Sequence, residues 1–93
     1  METLDSIIAA ERELSSSSID LLKIEAEGYE PEVLAGAKET LTKCKFVVVD
    51  GGPERGPQRQ STIESCTNIL HDSGFRLLAL NLKGRPGVAL FSR

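Results

Sequence analysis

The segment Ile19-Asp20-Leu21-Leu22-Lys23-Ile24-Glu25-Ala26-Glu27-Gly28-Tyr29-Glu30-Pro31-Glu32 decides the fold class. Ile19 to Ile24 is a short apolar run closed by Glu25-Ala26-Glu27-Gly28, the pattern of a strand buried on both faces. After Gly28 the chain meets proline and carboxylates. Proline lacks the amide that a helix start leaves unpaired, and acidic groups suit the positive end of the helix dipole. Val33, Leu34, Ala37 and Leu41 fall on one face, and Lys43 and Lys45 lie near the negative end, so the spacing predicts a helix from Glu30 to Lys43. Phe46-Val47-Val48-Val49 has the β-branched character of a central strand and stops at Asp50-Gly51-Gly52-Pro53. Strand, helix and strand in this order imply a parallel pair joined by a right-handed crossover.

Working outward, Leu4, Ile7 and Ile8 recur at helical spacing, so a short helix is expected from Thr3 to Leu14, followed by a flexible link at Ser15 to Ser18. Gly51 to Gln60 reads as a polar loop. Ser61-Thr62-Ile63-Glu64 matches a capping box, Ile63, Cys66, Ile69 and Leu70 continue that helix, and Gly74 is placed to end it. Phe75 to Leu82 and Val88 to Ser92 read as strands joined by the turn Lys83-Gly84-Arg85-Pro86-Gly87. The expected fold is α/β, a helix and then β-α-β-α-β-β, with a mixed sheet that ends in a C-terminal antiparallel hairpin.

A chain of 93 residues, 40% of them hydrophobic, suits a single domain over 1–93 with a thin core. Acidic residues outnumber basic ones by 14 to 11, and no stretch interleaves Lys or Arg with aromatics, so nucleic acid is not an expected partner. The start is acidic where a signal peptide is cationic, and no apolar run approaches the ~20 residues of a membrane span, which points away from a membrane and to the cytoplasm. Cys44 and Cys66 lack metal-ligand or redox spacing and read as small core hydrophobes. No metal site is expected. His71 stands alone on a solvated helix side and reads as a surface residue.

In open α/β sheets ligands bind beyond the carboxyl ends of the parallel strands, here Glu25 to Gly28 and Asp50 to Pro53. Neighbouring strands would bring those ends within ~5 Å. The candidate site is therefore acidic at its centre, with Glu25, Glu27 and Asp50 as catalytic candidates. Arg55, Lys83 and Arg85 are substrate-binding candidates around it, and Arg59 stands nearby. The competing reading is structural: Glu25 and Glu27 complement the following helix dipole, Gly28 permits a tight turn, and Asp50 to Pro53 only ends a strand. No Gly-x-Gly-x-x-Gly dinucleotide fingerprint follows any strand.

The segment Ile19 to Glu30, the run Val33-Leu34-Ala35-Gly36-Ala37 and the preceding Thr3-Leu4-Asp5-Ser6-Ile7 together resemble the FkbM family of methyltransferases. That family's wording at the strand end is Lys-Ile-Asp-x-Glu-Gly, then Glu, then Val-Leu-x-Gly-Ala; Glu25 stands here in place of the aspartate. The resemblance runs through Val47 to Pro53 and the terminal hairpin. It implies a Rossmann-like class I methyltransferase fold, whose seven-stranded sheet holds S-adenosylmethionine mainly with its first three strands and a glycine-rich loop. This chain would supply the fourth to seventh strands. It would be a half-fold fragment or remnant of an S-adenosylmethionine-dependent methyltransferase, O-directed, inactive alone and binding no cofactor itself. By the same resemblance the carboxylate at the end of the fourth strand, Glu25, faces the methyl acceptor, and its extra methylene displaces the charge.

The alternative from another class is a non-catalytic α/β module for oligomerisation or partner binding. Such a half-fold leaves one edge of the strand Ile19 to Glu25 bare, so a homodimer paired through this edge is expected, with the N-terminal helix folding over the edge as the rival arrangement.

Overall fold

A computed structural model of the chain describes residues 2–11, 17–51, 53–58, 60–81 and 87–93. In chain order the elements are α1 (Leu4–Ala10), β1 (Ile19–Ile24), α2 (Glu30–Ala35), α3 (Lys38–Leu41), β2 (Cys44–Asp50), β3 (Pro53–Arg55), β4 (Gln60–Ser61), α4 (Ile63–Asp72), β5 (Arg76–Asn81) and β6 (Val88–Ser92). The main sheet is four-stranded, in the order β1-β2-β6-β5. β1 and β2 are parallel, with Leu21 opposite Phe46 and Ile24 opposite Val49. β6 runs antiparallel to both β2 and β5. β3 and β4 pair in a small separate sheet inside the stretch expected to be loop.

Side chains alternate between the two faces of a sheet, and here the faces differ. Ile24, Val47, Val49, Ala89 and Phe91 join Leu34, Ala37, Leu41, Cys66, Leu70 and Phe75 in one core. On the other face Leu21 is 55% exposed and Phe46 40%. The expectation that the first strand is buried on both faces is therefore corrected: β1 is an edge strand with one face covered. The apolar run Leu21-Leu22 does not separate these cases, because both residue types suit a covered position and only the missing second layer tells them apart.

The helix expected over Glu30 to Lys43 is two helices. Gly36 and Ala37 interrupt it where α1 docks. The Asp5 amide donates to the Gly36 carbonyl at 3.0 Å. A Cβ on Gly36 would lie 2.9 Å from Thr3 Cβ, so only glycine admits this approach. Asp5 then caps α3 from a distant part of the chain. Its carboxylate accepts from the amides of Glu39 (3.0 Å) and Thr40 (2.8 Å) and from the Thr40 hydroxyl (2.7 Å). Ala37, at the start of α3, has no side-chain acceptor for these amides. Partial burial raises the Asp5 carboxyl, but the Thr40 hydroxyl, the two amides and the Lys43 charge outweigh it and hold it below its ordinary value.

α1 itself ends at Ala10, short of the expected Leu14, which lies outside the described residues. Its start carries a capping box: the Thr3 hydroxyl accepts from the Ser6 amide, and the Ser6 hydroxyl from the Thr3 amide, each at 3.1 Å. The capping box expected at Ser61 and Glu64 does not form. Thr62 occupies the cap of α4, and its hydroxyl is engaged elsewhere. Gly74, at φ 92°, ends α4 as expected. Arg93 closes the opposite end of the sheet, donating to the carbonyls of Leu41 (2.6 Å), Cys44 (3.3 Å) and Ser73 (3.4 Å) and lying over the Phe75 ring. A cation at the carbonyl ends of α3 and α4 complements their dipoles.

Gly36→Ala is expected to destabilise the fold by about 1–3 kcal/mol, because the new methyl meets Thr3 and must lift α1 off α3. Adding Thr3→Gly removes the clashing Cβ and should restore most of the loss in urea denaturation. A Gly36→Ala protein of unchanged stability would show that this contact carries no weight.

Candidate functional site

The carboxyl ends of β1 and β2 are organised by a buried carboxylate. Glu30, 1% exposed at the start of α2, accepts hydrogen bonds from the Ala26 amide (2.8 Å), the Gly28 amide (3.2 Å to each oxygen) and the Thr62 hydroxyl (2.8 Å). Burial disfavours its charge. The Thr62 hydroxyl and the backbone amides win, and the carboxyl lies below its usual 4.5. This bonding holds a turn in which Glu27 takes the left-handed conformation (φ 50°), uncommon for a side-chain-bearing residue, and Gly28 follows at φ 105°.

Through Thr62 the same carboxylate fixes the end of β2. A Cβ on Gly51 would stand 2.7 Å from Thr62 Oγ1, so the glycine lets strand end and helix start touch. The Gly51 amide donates to the Gly87 carbonyl at 2.9 Å, which brings the start of β6 to this edge. Cys66 lies buried behind Thr62, its thiol pushed up to about 12 by burial and the Glu30 charge. It is inert at neutral pH. Cys44 is also buried and unpaired, so both cysteines act as core residues.

Glu25 and Asp50 each follow the paired residues Ile24 and Val49, so they emerge side by side from adjacent parallel strands. Asp50 Oδ1 is buried and has no hydrogen-bond partner among the described residues. Burial pushes the Asp50 carboxyl above its ordinary value, and the charges of Glu25 and Glu30 add to this against Lys23. Glu25 is exposed and 4.0 Å from the Lys23 ammonium, a solvated pair of little energetic weight. Glu27 is exposed at the rim of a shallow cavity of about 330 Å³ shared with Gly28, Tyr29, Arg55 and Gly56.

The basic candidates fare differently. Arg55 is engaged: it donates to both oxygens of Glu32, at 2.8 and 2.5 Å, and to the Gly28 carbonyl at 3.1 Å. As placed, it braces the turn. Lys83, Arg85 and Arg59 lie outside the described residues. Tyr29, 69% exposed beside the cavity, is an addition that sequence reasoning missed. The larger omission is Glu30, credited only with a dipole role. Its signal was its position, since a glutamate at a helix start can reach back to the amides of the turn before it. Among the described residues no group of His, Cys, Asp or Glu could hold a metal ion, and no helix is long and apolar enough to cross a membrane.

Glu30→Gln should cost about 1–3 kcal/mol at pH 7, because the amide offers one acceptor oxygen where donors converge on two. A carboxyl held low in the folded state contributes stability that is present above its unfolded value, near 4.5, and lost as pH falls through the folded one. Urea midpoints measured from pH 7 to pH 3 should therefore fall less steeply for Glu30→Gln, with the remaining slope due to Asp5 and Glu32. Equal slopes would remove Glu30 from this role.

For Asp50 the sign reverses. A carboxyl raised in the folded state contributes stability below its unfolded value that is lost as pH rises through the folded one, so at pH 7 its charge opposes folding. Asp50→Asn should stabilise the protein at pH 7, by an amount on the order of 0.5 kcal/mol. A marked loss of stability in thermal denaturation would instead make Asp50 a structural residue.

Known proteins bear on this edge. The chain matches the Methyltransferase FkbM domain over residues 1–77, which reaches the start of β5 and leaves the return strand of the hairpin outside. It is 32% identical over 78 residues to 2-O-methyltransferase NoeI of Sinorhizobium fredii, an alignment covering 84% of this chain and 31% of that relative. The chain thus spans less than a third of the relative's length. No solved structure matches it. With the domain match extending over most of its residues and including the turn built on Glu30, this chain belongs to the FkbM methyltransferase family.

Proposed function

We propose that this chain is the acceptor-side part of an S-adenosylmethionine-dependent O-methyltransferase, a half-fold made of the C-terminal strands of a class I domain. The observation that carries the reading is the pair Glu25 and Asp50 on adjacent strand ends, with Asp50 Oδ1 buried and unpartnered among the described residues. A mixed sheet whose last strand is antiparallel is compatible with those C-terminal strands. The name of the relative, a 2-O-methyltransferase, supports transfer to oxygen.

In this reading the cofactor is held elsewhere, and the donors at the described part of this edge support that. S-adenosylmethionine carries a carboxylate and hydroxyls, whose seat requires donors as well as acceptors. Here the amides of Ala26 and Gly28 are taken by Glu30 and that of Gly51 by Gly87. Arg55 is paired with Glu32. What the described residues leave without a donor is an acceptor, Asp50 Oδ1, able to take a hydrogen bond from a hydroxyl that reaches it. In this reading Asp50 orients the acceptor hydroxyl and removes its proton, a task suited to a carboxyl raised toward neutrality. Burial keeps it raised, and repulsion from Glu25 adds to this.

Calorimetric titration of S-adenosylmethionine into the chain should give no saturable binding; a dissociation constant of about 10 μM or tighter would overturn the division of labour proposed here. Supplied with the cofactor-binding part of a family relative, the chain should support methyl transfer, and Asp50→Asn should lower kcat by roughly 10²–10⁴-fold. Unchanged kcat would take Asp50 out of the chemistry.

A further inference from the structure

The turn after β1 holds one residue in a conformation that its side chain makes costly. Glu27 takes φ 50°, a region that glycine enters freely and other residues enter at the expense of strain. The bonds from the Ala26 and Gly28 amides to Glu30 impose this shape on the turn whatever stands between them, so a glycine at position 27 would satisfy the fold at lower cost. A glutamate stands there instead, and among the described residues its carboxylate has no hydrogen-bond or ion-pair partner. Strained residues whose side chains the fold does not use are concentrated where proteins meet ligands.

Glu27 lines the cavity of about 330 Å³, with Gly28 and Tyr29 beside it and with Arg55 and Gly56 contributed by the end of β3. That volume is at the low end for ligand sites and suits one small ring. The chemistry of the lining narrows the ligand further. An anion would meet the Glu27 charge, and the guanidinium that would otherwise attract it is neutralised by Glu32. A cation would meet that guanidinium. Tyr29, 69% exposed, makes no bond that caps α2, and it offers a flat apolar face with a polar tip.

We propose that this cavity is a subsite for a neutral polyhydroxylated ring, a saccharide or cyclitol unit of the methyl acceptor, with Glu27 accepting hydrogen bonds from its hydroxyls and Tyr29 covering its C–H face. The proposal rests on the acceptor-side reading only for its link to methyl transfer. The cavity opens at the end of β1, and Asp50 ends the adjacent β2, so an acceptor seated here has its reactive hydroxyl on the same edge as the carboxylate that would take its proton. Backbone strain at Glu27 is then a cost of holding a carboxylate ready for hydroxyls that only a ligand supplies.

The test is a titration of the nitrogen-15-labelled chain, without cofactor, with the methyl pyranosides of glucose, galactose and mannose and with myo-inositol. At least one should shift the amide signals of Glu27 to Tyr29 and of Arg55 and Gly56 saturably, with a dissociation constant in the millimolar range that so small a ligand reaches. The glycoside and inositol arms tell a saccharide from a cyclitol, and glucuronate should bind at least about 5-fold more weakly than the neutral glucoside. Glu27→Gly should leave the thermal midpoint unchanged or raise it, by releasing the strain, while weakening the ring at least about 10-fold. Tyr29→Ala should weaken it without loss of fold. Absence of saturable shifts with all four probes, shifts confined to other residues, or equal affinity for glucuronate would each overturn the proposal. So would a Glu27→Gly chain that melts lower or binds the ring undiminished. A chain that binds the ring yet supports no methyl transfer alongside the cofactor-binding part of a relative would count against the acceptor-side reading and leave the subsite standing.

Discussion

A charge that must be kept inside the protein governs this fold. Glu30 can be buried because Ala26, Gly28 and Thr62 all donate to it, the first two from the turn after β1 and the third from the start of α4. The turn after β1, the start of α2 and the start of α4 are therefore defined relative to one carboxylate. An unsatisfied buried carboxylate costs several kcal/mol, so alternative arrangements of these three elements are strongly disfavoured. Gly51 and Cys66 owe their surroundings to the same centre: the glycine makes room for Thr62, and the thiol is held protonated beside the charge.

The acidic edge shows two carboxylates treated in opposite ways. Glu30 is surrounded by donors and held ionised, whereas Asp50 has a buried oxygen with none and is pushed toward its neutral form. They influence each other, since the Glu30 charge is among the causes raising Asp50. At neutral pH the charge of such a group opposes folding. Such groups are concentrated where proteins meet ligands, and stability is given up there for chemistry.

Much of this was readable from residues alone. The alternation of β-branched strands and amphipathic helices carried the element order, and glycine with proline marked the turns. The adjacency of Glu25 and Asp50 followed from parallel pairing. What could not be read depended on contacts between distant segments. Nothing near Gly36 announces that Thr3 will lie on it, so the periodicity of Val33 to Leu41 reads as one helix where the structure has two. Ser61-Thr62-Ile63-Glu64 has the local signature of a capping box, but Thr62 is recruited by Glu30 from 32 residues away, and a charged acceptor outcompetes a neutral backbone site. Leu21 was assigned to a buried strand because apolarity does not reveal whether a second layer exists to cover it. Arg55 looked free because its partner Glu32 lies on another element.

The cap that Asp5 places on α3 also constrains the order in which the molecule is built. α1 is seven residues long and buries none of them, too short to persist as an isolated helix in water. Its hold on the protein comes from bonds to Glu39 and Thr40, 34 and 35 residues along the chain, and from the approach to Gly36. Those acceptor and donor positions exist only once the β1-α2-α3-β2 unit has condensed. The amino-terminal segment is consequently a late arrival in folding, a clasp fastened over a body already assembled, and during synthesis it must wait for the residues that receive it to leave the ribosome.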